Sequence, residues 1–84
     1  MYTLIVDCNG FVNEHAAYII EGGKTVGLMH LPASEIATFI QNDRRITEVK
    51  LSGMTAYCLG LKEEIENKVA NEYSNDRILK VEVI

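Results

Sequence analysis

The chain has 84 residues, 48% of them apolar, with two cysteines and a formal net charge of −4. That length makes one domain with a modest core, and the apolar content argues against disorder. The acidic balance argues against nucleic acid as a direct partner, because duplex binding exploits a basic face and only Arg44, Arg45 and Lys50 gather positive charge here.

No apolar run approaches the ~20 residues that cross a bilayer, so no membrane span is expected. The opening MYTLIVDCNG has no basic stretch of the signal-peptide kind, and the expected location is cytoplasmic. Cys8 and Cys58 lie far apart in sequence, with neither C-x-x-C nor a repeating metal spacing. They read as reduced structural thiols, since a disulfide framework needs more cysteines in so short a chain.

Residues 1–6, MYTLIV, are nearly all apolar and predict a central strand covered on both faces. Asp7-Cys8-Asn9-Gly10 breaks that run, and Asn-Gly is a strong turn signal. Residues 15–21, HAAYIIE, read as a second strand, and Gly22-Gly23 closes a hairpin into a third over 25–31. Pro32 suits a first helical turn, and Ala33, Ile36, Ala37 and Ile40, with Phe39 beside them, line one face of a helix over 32–42.

The stretch 47–74 organises the rest. A strand over 48–52 runs through a Ser52-Gly53 turn into the longest amphipathic helix, with Ser52 or Thr55 as the expected N-cap. Met54, Tyr57, Cys58, Leu61, Ile65, Val69 and Tyr73 recur at the spacing of one helix face, and Gly60 interrupts it. Glu63, Glu64 and Glu66 read as a solvated face that can present negative charge to a basic partner. After the polar break Ser74-Asn75-Asp76, residues 78–84 alternate Leu79, Val81 and Val83 against Lys80 and Glu82, as a strand with one exposed face does.

The resulting order is βββαβαβ. Right-handed crossovers return each later strand parallel to the one before. The expected fold is α+β: a mixed five-stranded sheet of order 3-2-1-4-5 with two helices chiefly on one face.

That order, with Asp7 ending the first strand within VDCNG, resembles the core of the ribonuclease H-like and actin-like ATPase folds. The segment VKLSGMTAYCLGLKEEI is similar to the later strand, glycine turn and helix of the actin-like proteins, which meet adenosine there. The resemblance implies a divalent-metal or phosphate role for Asp7. Asn9 and Gly10 would form the first turn near a nucleotide, and Ser52 and Gly53 the second. Nuclease relatives supply another carboxylate from the end of the fourth strand, where this chain has Ser52 or Gly53, and a further one in a helix after the fifth strand. Glu35 or Glu48 would have to partner Asp7 around Mg²⁺, because two-metal chemistry needs several converging carboxylates.

Other site signals are sparse. His15 and His30 begin and end strands and read as partly exposed residues with no ligand spacing. Ser52-Gly53 lacks the lysine and the further glycines of a phosphate loop, and no nucleophile signature occurs. Catalysis is therefore expected to be absent or incomplete, with no cofactor.

The expected function is a non-catalytic module that recognises a protein partner or forms a homo-oligomer, its edge strands offering backbone groups for pairing. Its size suits an accessory protein of bacteria, phages or prophages. The alternatives are a metal-dependent nuclease using Asp7 with Glu35 or Glu48, and a nucleotide-binding or phosphotransfer domain using the two turns.

Overall fold

The computed structural model describes residues 1–9, 13–70 and 77–84. Among the described residues, five strands form one sheet: β1 Tyr2–Cys8, β2 Glu14–Glu21, β3 Lys24–Pro32, β4 Ile46–Gly53 and β5 Lys80–Val83. Two helices, α1 Ile36–Asn42 and α2 Thr55–Lys68, carry the crossovers, and a 3-10 turn over Ala33–Glu35 leads into α1. The sheet order is β3-β2-β1-β4-β5, antiparallel across the meander and parallel from β1 to β4 to β5.

The expected α+β architecture and strand order are both present. The reason is local. Gly22 and Gly23 hold φ of 60° and 77°, which permits the tight β2–β3 hairpin. Both crossovers then lay their helices over one side of the sheet, and the core forms in that layer.

Leu4 and Val6 of β1, Ala17 of β2, Val49 and Leu51 of β4 and Val81 of β5 all point into that layer, against Ile36, Ile40, Leu61 and Ile65 of the helices. Each fully buried Leu or Ile contributes about 1.5–3 kcal/mol relative to exposure. Within α2, Cys58, Leu61 and Ile65 are buried, as is Val69 just beyond it, while Met54 and Tyr57 are exposed at the rim. The expected contribution of Tyr73, and the 74–76 break, lie outside the described residues.

Several boundaries differ from the sequence reading. The last strand is Lys80–Val83 and not 78–84, and β4 runs past 48–52 at both ends. Pro32 does not open a helix. It ends β3 opposite Glu14 with φ −58° and ψ 144°, extended backbone on an edge strand, where a missing N–H breaks no ladder. Ser52 and Gly53 do not form a turn but continue β4, paired with Asp7 and Cys8 of β1. The N-cap of α2 is accordingly Met54, with no side-chain cap from Ser52 or Thr55.

The first strand is central, as expected, but among the described residues only one of its faces is covered by helix. Leu4, Val6 and Cys8 are buried, while Thr3, Ile5 and Asp7 lie half-buried on the other side.

Gly60 stands in mid-helix, and a Cβ built there meets nothing within 4 Å. Tolerance, not close packing, explains it. Gly60→Ala is expected to stabilise the domain by about 0.5–1 kcal/mol, roughly a 2–8 °C rise in melting temperature for a domain this small. A lower melting temperature would overturn that account.

Candidate functional site

The carboxylates suggested for metal chemistry do not converge. Asp7 sits opposite Ser52, whereas Glu48 sits opposite Thr3, so the two are offset by four residues, about 13 Å of strand. Glu35 is exposed at the junction of the 3-10 turn and α1, in the helical layer, while Asp7 and Glu48 belong to the opposite face of the sheet. Among the described residues, no group of three His, Cys, Asp or Glu side chains could hold a metal ion.

Asp7 instead organises its own turn. Its Oδ1 accepts hydrogen bonds from the Asn9 backbone N–H at 3.0 Å and from Asn9 Nδ2 at 2.6 Å. This is the local bonding by which Asp residues build turns. Glu48 is engaged with Lys50 at 3.5 Å.

The two suggested nucleotide turns do meet at one sheet edge. Cys8 pairs with Gly53, and Asn9 N lies 3.1 Å from where a Gly53 Cβ would be. The space between them is filled by backbone. Gly10 lies outside the described residues.

The histidines divide. His30 is exposed near the end of β3, as expected. His15 is not partly exposed: it is 3% exposed on the core side of β2, with its ring edge-on to Tyr57. The period of two decides this, because His15 shares a face with Ala17 and Ile19. His15 Nε2 and the Tyr57 hydroxyl are 2.9 Å apart, and burial raises the Tyr57 pKa above its ordinary value.

Cys8 and Cys58 are neighbours in the core, and both are free thiols. Burial first, and then the neighbouring Cys58, push the Cys8 pKa up to about 12. A thiol so shifted stays protonated at neutral pH and is a poor nucleophile.

The small basic group is partly neutralised. Arg45 holds Asp43 through Nε–Oδ1 at 2.9 Å and Nη2–Oδ2 at 2.8 Å, and lies 4.8 Å from the centre of the Tyr2 ring. The Arg45 guanidinium holds the Asp43 carboxyl below its usual range. Lys50 is turned toward Glu48.

What the sequence reading missed is the uncovered face. Strand register lays its side chains out in rows. The lower row runs Thr25, Ile20, Thr3, Glu48 and Lys80, and the middle row Leu28, Tyr18, Ile5, Lys50 and Glu82. The upper row runs His30, Ala16, Asp7 and Ser52.

The β3–β2–β1 half of this face is therefore largely apolar. Leu28 is 58% exposed, and Val26, the extra residue of a bulge opposite Ile19 and Ile20, is 56% exposed. The β4–β5 half is a square of alternating charge: Glu48 beside Lys80, Lys50 beside Glu82, with ion pairs along each strand at 3.5 Å and 2.6 Å. Strand alternation contains this pattern, but which of the two faces stays bare depends on both helices crossing on the same side.

No family model, curated protein or solved structure matches the chain.

Proposed function

We propose that the protein is a small ribonuclease H-like domain that works without catalysis, as an interaction or self-association module acting through its open sheet face. The observation that carries the reading is the apolar middle row, Leu28, Tyr18 and Ile5, standing on a face that no described helix covers. Exposed apolar surface of this kind, rimmed by charge, marks an interaction site. The likeness to ribonuclease H-like domains is supported by element order and sheet order alone. A cytoplasmic setting belongs to the same proposal, because two cysteines in so short a chain make no disulfide framework.

The reading is tested by placing a photo-crosslinking amino acid at position 28, and separately at Glu63 on the solvent side of α2, in protein expressed in cells. Adducts are expected from position 28 and not from position 63. Absence of any adduct from position 28 would overturn the reading.

A further inference from the structure

Resting on that reading and naming its partner, we infer that the open sheet face docks a second copy of this chain, sheet against sheet, about a two-fold axis that crosses the strands between the lower and middle rows.

The charge square carries the argument. A two-fold axis in that position lays the lower row of one copy over the middle row of the other. Glu48 then faces Lys50 of the second copy and Lys80 faces its Glu82, each contact occurring twice, as a two-fold interface requires. The same operation sets Ile20 against Tyr18 and the Thr3 methyl against Ile5, so the β2–β1 part of the face meets largely apolar surface. An axis parallel to the strands, between β4 and β5, would also match the charges. It would leave the β3–β2–β1 half overhanging and wet.

The local charge balance favours the same occupant. Each chain carries −4, so two copies repel on average, but the four charges in the square sum to zero. Self-association meets least repulsion there. Five strands at about 4.8 Å spacing give a face of roughly 500 Å² in outline per copy. That is the low end of what specific pairs bury, so the expected dimer is weak and reversible.

Sedimentation equilibrium on the full chain, over about 10 µM to 1 mM, reads the dissociation constant. Wild type is expected to dimerise, more weakly at high salt. Lys50→Glu sets like charges opposite each other twice and is expected to weaken the dimer about tenfold or more, with the salt dependence reversed. The double variant Glu48→Lys with Lys50→Glu restores opposite charges across this axis and is expected to recover most of the affinity. It would not do so for the axis parallel to the strands. Circular dichroism on each variant confirms that the fold is retained.

A chain that stays monomeric throughout overturns the inference, as does a dimer indifferent to Lys50→Glu or one the double variant fails to restore. Adducts from position 28 that contain only other proteins would overturn the second copy while leaving the interaction reading standing.

Discussion

Replacing Arg77 with alanine is expected to cost the domain about 3 kcal/mol or more, a large share of the stability of so small a protein. Arg77 is 5% exposed, and its guanidinium is surrounded by carbonyls at the end of α1 and the start of β4. Nη2 donates to Ile40 O at 2.6 Å, Asp43 O at 3.0 Å and Ile46 O at 3.4 Å, and Nη1 donates to Gln41 O at 3.1 Å. Gln41 O is one of the carbonyls that a seven-residue helix leaves over at its C-terminus, where the backbone dipole also favours a cation. Ile40 O and Asp43 O each accept a backbone N–H as well, at 3.3 Å and 3.2 Å. Asp43, close by, adds negative charge.

Alanine removes the donors and leaves those carbonyls buried. Lysine keeps the charge but not the planar fork, so Arg77→Lys is expected to recover only part of the loss. Urea unfolding followed by circular dichroism measures both variants. A loss below about 1 kcal/mol for Arg77→Ala would show that water replaces the guanidinium without penalty.

The second large effect is expected at Gly53. Its φ of +143° lies where side-chain-bearing residues are strained, and a Cβ there would stand 2.7 Å from both the carbonyl carbon and the oxygen of Cys8. The atoms in the way are backbone of the central strand, which cannot swing aside. Gly53→Ala is expected to destabilise by about 3 kcal/mol or more, strain and clash together, and to loosen the β1–β4 edge first. Hydrogen exchange resolves this, with protection falling earliest where Asp7 pairs with Ser52 and Cys8 with Gly53, the end of the β1–β4 ladder. The same substitution at Gly60 is expected to act in the opposite direction, because the cost depends on φ and on neighbouring backbone, not on glycine as such. Wild-type stability in Gly53→Ala would mean that β4 ends before Gly53.

Much of the architecture was legible in the residues. HAAYIIE and the 78–84 segment alternate, α2 repeats its apolar side chains at helical spacing, and Gly22-Gly23 marks a hairpin. Right-handed crossovers then leave few ways to order five strands. Pro32 misled because one fixed φ serves both a first helical turn and the end of an edge strand. Ser52 and Gly53 misled because a polar residue beside glycine usually ends a strand, whereas here β1 continues through Asp7 and Cys8 and holds both in register.

The candidate site was less legible. Asp7 had the position of a catalytic carboxylate, yet among the described residues its partners are Ser52, Ala16 and Asn9, and Glu48 lies four residues down the strand. A lone strand-end acid does not report its companions. Arg77 was invisible because it follows a polar break, and only the packed end of α1 draws it inside.

By itself, the sequence determined which side chains share a face of each strand and helix, since periods of 2 and 3.6 are properties of the local backbone. Which sheet face would be covered, and so whether Leu28, Tyr18 and Ile5 would be core or surface, was decided only by tertiary structure. Both helices pack over the same side, and that choice is made by the two crossovers together, through contacts between residues far apart in the chain.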